Sequence, residues 1–132
     1  METTSAPLRA ALCVFLACSL LHFVHNAEFL ADYPNMPPWL TRAGVYLAWV
    51  ALASLGLAGY LLARRGHARI GAVALACSAL MGLDSLGHYG LAPFSAHTAM
   101  MNATIVAEVS SAAVLLIAAC ATLLMRHRRA RA

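Results

Sequence analysis

Four long apolar runs follow one another along the chain, at about residues 8–30, 42–63, 68–90 and 100–125. Each run is close to the ~20 residues that a helix needs to cross the hydrocarbon core of a bilayer. Three prolines in the connection over 31–41 forbid a continuous helix there. We therefore predict an all-α membrane protein, a single domain over residues 1–132 that forms a four-transmembrane-helix bundle.

The composition supports a membrane protein and excludes an ordinary soluble domain. Hydrophobic residues make up 62% of the chain and charged residues only 11%, whereas soluble domains are roughly half apolar and about a quarter charged. The net charge of +4 does not indicate nucleic-acid binding, because the arginines cluster just beyond the apolar runs, where topology signals belong. The expected partner is the lipid bilayer.

The distribution of arginine predicts how the helices cross the membrane. Arg9, the 64–69 loop and the 126–131 tail fall on one side, and only Arg42 falls on the other. The positive-inside rule then places both termini in the cytoplasm. All nine basic residues are Arg, a bias that suggests a high-GC genome, and we predict a multi-pass protein of the bacterial inner membrane. The first run lacks the features of a cleaved signal peptide and is expected to remain as a helix.

Polar residues inside the apolar runs recur at one membrane depth. At 1.5 Å per residue, His22, Asp84 and Glu108 lie roughly 9–12 Å inward from the outer helix ends, and His25 and His88 lie about one turn shallower. Ionisable groups at such depth are expensive and by default have a function. The residues expected to meet in one pocket are His22, His25, Asp84, His88, His97 and Glu108. Glu28 and Asp32 are expected at its rim, and Tyr33 and Trp39 as interface anchors.

The favoured chemistry is binding of a divalent transition metal. His22 and His25 are spaced i,i+3, and Asp84 and His88 i,i+4, spacings that aim two side chains at one point. Nitrogen donors with carboxylates suit zinc, iron or copper. We predict His22, His25, His88 and His97 as metal ligands, and Glu28, Asp84 and Glu108 as catalytic acids or bases. The corresponding activity is metal-dependent hydrolysis, or another reaction, on a membrane-embedded, lipid-like substrate.

Two other chemistries use the same residues. A haem-binding electron-transfer protein would take His22 or His25 together with His88 as axial ligands. Metal-free acid–base catalysis on a lipid would pair His25 with Glu28, or Asp84 with His88.

A non-catalytic class also remains open. The protein is then a metal-handling or accessory subunit whose polar residues pair with one another or with another membrane protein. A pocket closed on itself favours an active site, whereas an outward-facing polar stripe favours a partner interface. The four cysteines lie inside apolar runs without CxxC spacing and are expected to act as small hydrophobic residues.

The sequence His25-Asn26-Ala27-Glu28-Phe29, followed by Pro37-Pro38-Trp39, resembles the small integral-membrane family named for an HxxEE motif. The resemblance implies four membrane helices and a suspected enzymatic activity. His25 and Glu28 match the histidine and first glutamate of the motif, and His88 matches a later histidine. Phe29 replaces the second glutamate, so the role of that paired acid is not carried over.

Overall fold

The computed structural model describes the backbone of residues 5–129 and the side chains of residues 6–125. The α-helices are α1 (Ser5–Glu28), α2 (Arg42–Arg64), α3 (Ala68–Leu83), α4 (Gly87–Leu91) and α5 (Ala99–Arg129). Short 3-10 helices cover Leu30–Asp32, Asp84–Leu86 and Phe94–Ala96. The arginine side chains of the 126–131 tail, used above to predict orientation, lie outside the described residues.

Four helical segments are long and apolar enough to cross a membrane, as the sequence predicted. They are Ala6–Glu28, Arg42–Arg64, Ala68–Leu91 and Ala99–Met125. Within residues 5–129 the structure contains no β-strand. The third segment departs from the prediction of one uninterrupted helix, because the 3-10 turn Asp84–Leu86 separates α3 from α4. These four segments are those of a multi-pass membrane protein.

The helices pack as a ring in which α1 and α3 each contact both α2 and α5. Phe15, Leu75 and Leu115 are fully buried at its centre. Many apolar side chains instead face outward, among them Leu47 and Ile117. An apolar exterior around an apolar core is expected of a bundle surrounded by lipid.

The α2–α3 hairpin depends on small residues. A Cβ at Gly71 would lie 2.5 Å from the backbone oxygen of Gly59 and 2.5 Å from the backbone nitrogen of Ala63, so only glycine allows the two backbones to approach so closely. The reversal between the helices uses Gly66, whose φ of 93° is a left-handed conformation that glycine adopts at helix C-termini.

We expect Gly71→Ala to destabilise the bundle by about 1–3 kcal/mol, because the added methyl group must push two backbones apart. Gly90→Ala is the matched control, since a Cβ there meets nothing within 4 Å. Thermal unfolding in detergent measures both variants. Equal melting temperatures for Gly71→Ala and wild type would contradict the close α2–α3 contact.

Candidate functional site

A continuous buried polar cluster lies in the half of the bundle that contains the end of α1 and the start of α5. Its members are Glu108 on α5, His22 on α1, His88 on α4 and His97 just before α5, and all four are buried. The rings of His22 and His88 are 5.2 Å apart between centroids, and those of His88 and His97 are 6.2 Å apart. The structure therefore brings together four of the six residues that the sequence assigned to one pocket, and we call them the His/Glu cluster.

Glu108 is completely buried and is held by groups from two other segments. The Ser85 hydroxyl donates a hydrogen bond of 2.5 Å to Oε2, and Nε2 of His22 lies 3.8 Å from the same oxygen. Oε1 has no hydrogen-bond partner among residues 6–125. Ser85 reaches α5 because it lies in the 3-10 turn that interrupts the third span.

The orientation of the His22 ring follows from its contact with Thr104. The Thr104 hydroxyl donates to the backbone oxygen of Met101 over 3.0 Å and also lies 3.3 Å from Nδ1 of His22. A carbonyl oxygen can only accept and the hydroxyl has one proton, so Thr104 accepts from Nδ1–H of His22. The Nε2 lone pair of the neutral ring then faces Glu108.

His97 is oriented in the same way. Its Nδ1 lies 3.1 Å from the carbonyl oxygen of Pro93, which fixes the proton on Nδ1 and leaves the lone pair on Nε2. That Nε2 is buried and has no partner among the described residues. The Asn102 amide stabilises this connection by donating to the backbone oxygens of Phe94 and His97.

His88 contacts Asn26, and the pair leaves two buried atoms unsatisfied. The Asn26 amide nitrogen is 3.1 Å from Nε2 of His88, whereas Oδ1 of Asn26 and Nδ1 of His88 have no partner within the described part of the chain. Reversing the amide would exchange donor and acceptor and still leave one atom of each residue unpaired. Buried unsatisfied polar atoms each cost about 1–3 kcal/mol, so these atoms are available to a water molecule or a ligand.

Tyr33 closes the cluster on the side of the first connection. Only 3% of its surface is exposed, and its hydroxyl lies 2.9 Å from Nδ1 of His25. The expectation that Tyr33 is an interface anchor is therefore wrong. Asn35, whose φ is 56°, ties the same connection to the third span by donating to the Leu91 carbonyl over 2.9 Å. Burial raises the pKa of the Tyr33 phenol to about 12.

Two predicted site residues lie apart from the His/Glu cluster. Glu28 accepts hydrogen bonds of 2.6 Å from Arg42 and from the Tyr46 hydroxyl, so its carboxylate joins α1 to α2 and does not face the buried histidines. Asp84 is exposed and lines a groove on the α2 side of the bundle. Asp84 therefore does not join the buried cluster, as it was expected to do with His88; the 3-10 turn Asp84–Leu86 between the two residues changes their relative direction from that of a continuous α-helix.

The imidazole nitrogens and the carboxylate oxygens of the His/Glu cluster are of the kind that bind transition metals, but they do not converge on one point. Among the described residues, no three His, Cys, Asp or Glu side chains are placed to hold one metal ion. Direct edge contact between the His22 and His88 rings leaves no space for a haem plane between them. His25, a predicted ligand, is half-buried and its Nδ1 contacts Tyr33.

Several residues of the site escaped the sequence analysis. Ser85 and Thr104 were not assigned to the pocket, yet they orient Glu108 and His22. Asn26 lies one residue after His25, and its contact with His88 could be found from sequence only by knowing how α1 and α4 pack. No known protein family, curated protein or solved structure matches the chain.

We expect Ser85→Ala to destabilise the protein by about 1–3 kcal/mol, because it removes the hydrogen bond to a completely buried carboxyl group. Ser110→Ala, at an exposed position on α5, is the matched control and should leave stability unchanged. Chemical denaturation in mixed micelles compares the two. A Ser85→Ala variant as stable as the Ser110→Ala variant would contradict the described role of Ser85.

The raised pKa of Tyr33 predicts a loss of stability at alkaline pH. The unfolded phenol ionises near its ordinary pKa of 10.0, whereas the folded one ionises at about 12. Tyr33 therefore contributes stability that is complete below pH 10 and is lost as pH rises from 10 towards 12, by up to about 1.4 kcal/mol per pH unit. Melting temperatures across this range should fall more steeply for wild type than for Tyr33→Phe, and parallel curves would contradict the burial of the phenol.

Proposed function

We propose that the protein is a multi-pass protein of the bacterial inner membrane with both termini in the cytoplasm. Arg9 near the start of α1 and the Arg64, Arg65 and Arg69 turn between α2 and α3 support this orientation, since they lie at the ends opposite to Arg42. In this orientation the His/Glu cluster lies in the outer half of the bilayer.

We further propose that the His/Glu cluster binds one divalent transition metal ion, zinc, iron or copper, and that the site acts as a metal-dependent enzyme on a membrane-embedded substrate. The observation that carries this proposal is the pair of imidazoles, His22 and His97, each anchored through Nδ1–H with Nε2 left free inside the cluster. Metal-ligating histidines are held in this way. Their partner donors are His88 and Glu108, each with an unpaired buried atom.

The spacing of the rings supports the same proposal. With metal–nitrogen bonds of about 2.0–2.1 Å, two rings that share a metal have centroids roughly 5–6 Å apart. The His22–His88 and His88–His97 separations of 5.2 and 6.2 Å are close to this range. Binding then requires His88 and Glu108 to shift towards the Nε2 atoms of His22 and His97, while the Nδ1–H contacts of these two rings are kept.

Metal-free acid–base catalysis is the second candidate. It is favoured by the position of Nε2 of His22, which lies 3.8 Å from the Glu108 carboxyl group, so that a small closing movement or one bridging water molecule would connect an acid and a base. The closed, buried position of the cluster favours a site of this kind over an interface with a partner subunit. The resemblance to the HxxEE family remains a prediction.

The metal content of the purified protein tests the proposal. We would express the untagged protein with added zinc, iron or copper and measure bound metal by mass spectrometry for wild type, His22→Ala, His88→Ala and His97→Ala. We expect near-stoichiometric metal in wild type and at least a tenfold loss in each variant. His67→Ala, at an exposed position between α2 and α3, should retain it.

Two results would contradict metal binding. One is wild-type protein that holds no metal even after reconstitution. This result would favour metal-free acid–base catalysis by His22 and Glu108 instead. The other is metal that survives all three cluster substitutions, which would place it at another site. Circular dichroism of each variant distinguishes lost binding from lost fold.

A further inference from the structure

A concave site lies apart from the His/Glu cluster, between α1, α2 and α3. It is a groove of about 430 Å³, within the ~300–1,000 Å³ typical of small-ligand sites. Helices α1, α2 and α3 and the following 3-10 turn supply its lining residues, Phe23, Ala48, Leu52, Leu80, Met81 and Asp84. Five of these six side chains are apolar, and the groove contains a single charge.

That single charge is unbalanced. Asp84 lies inside the span Ala68–Leu91, and its distance from the end of this span corresponds to about 10 Å of membrane depth. Its side chain is exposed to the groove, and among the described side chains the ion pairs are those of Glu108 and Glu28, not of Asp84. A carboxylate within a bilayer calls for a partner of opposite charge.

We propose that this groove binds a single-chain amphiphile with an ammonium head group. The ammonium group pairs with the Asp84 carboxylate, and the hydrocarbon chain packs along Phe23, Leu52 and Leu80. Charge complementarity selects a net cationic ligand, because a phospholipid would bring its anionic phosphate towards the same carboxylate.

A single layer of side chains separates the groove from the His/Glu cluster. Phe23 of the groove follows His22 of the cluster in sequence, and their rings are in edge contact at 5.9 Å between centroids. Asp84 is likewise followed by Ser85, which binds Glu108. The Phe23 side chain therefore lies between the hydrocarbon part of the groove and His22. Binding of the amphiphile requires neither a metal ion nor the catalytic role proposed for the His/Glu cluster.

Equilibrium binding of radiolabelled dodecylamine tests the proposal. We would incorporate the protein into phosphatidylcholine nanodiscs and subtract partitioning into empty nanodiscs. Wild type should bind one equivalent saturably. Asp84→Asn should weaken binding about tenfold or more, because it removes a charge-assisted contact. Ala48→Phe should block it by filling the groove. Unlabelled dodecanol and dodecanoate should compete at least about tenfold less well than dodecylamine.

Two matched control variants test whether the loss of dodecylamine binding is specific to the groove. Asp32→Asn removes an exposed carboxylate outside the spans, and Ala51→Phe adds the same bulk at an exposed position on α2 that does not line the groove. Both should bind dodecylamine as wild type does. Equal binding by wild type and Asp84→Asn would overturn the proposal. So would loss of binding in phosphatidylethanolamine nanodiscs, since this would assign the groove to a bulk lipid.

Metal-free protein and His22→Ala distinguish failure of this proposal from failure of the proposed function. Retained amine binding in protein that never binds metal would overturn the metal site and leave the groove intact. Metal bound stoichiometrically with no saturable amine binding would overturn the groove alone.

Discussion

Burial of polar groups among apolar helices is the constraint on which this structure depends. In a bilayer, water is not available to satisfy a side chain, so each polar group must find its partner within the protein or in a ligand. Glu108 meets this demand only in part, through the hydrogen bond that Ser85 donates to it. The imidazoles satisfy one nitrogen each with Thr104, Asn26 or Pro93. The polar atoms without a partner lie close together, on His88, His97, Glu108 and the neighbouring Asn26. For this reason we interpret the cluster as a ligand site and not as a set of contacts that only hold the helices together.

The interruption of the third span gives the bundle two different polar faces. A continuous α-helix would hold Asp84 and His88 on one side, since residues four apart share a face. Three residues of 3-10 helix turn about 120° each instead of 100°, a difference of roughly 60° over the turn. Ser85 and His88 consequently face α5 and the cluster, whereas Asp84 faces the groove beside α2. One short irregularity thereby separates the buried His/Glu cluster from the groove.

The sequence predicted the membrane spans and the depth of the His/Glu cluster well, because both follow from counting residues along the chain. Run length identifies a membrane helix, and counting residues from its end locates His22 and Glu108 at the same level. The direction in which a side chain points depends on local helix geometry and on which helices are neighbours. Asp84 was therefore assigned to the wrong face. Tyr33 was placed at the interface for a related reason, since its burial follows from how the proline-containing connection folds back and is tied to Leu91.

The most direct test of the account is the tautomeric state of the histidines in the metal-free protein, read by long-range ¹⁵N–¹H NMR in micelles and assigned with single His variants. The account requires His22 and His97 to carry the proton on Nδ1, with Nε2 unprotonated and facing the cluster. Signals of the Nε2–H tautomer for both residues would contradict it. In that case the Nδ1 lone pair of His22 would face Thr104, the Pro93 carbonyl would have no donor from His97, and neither of these two rings would offer a free nitrogen to a ligand.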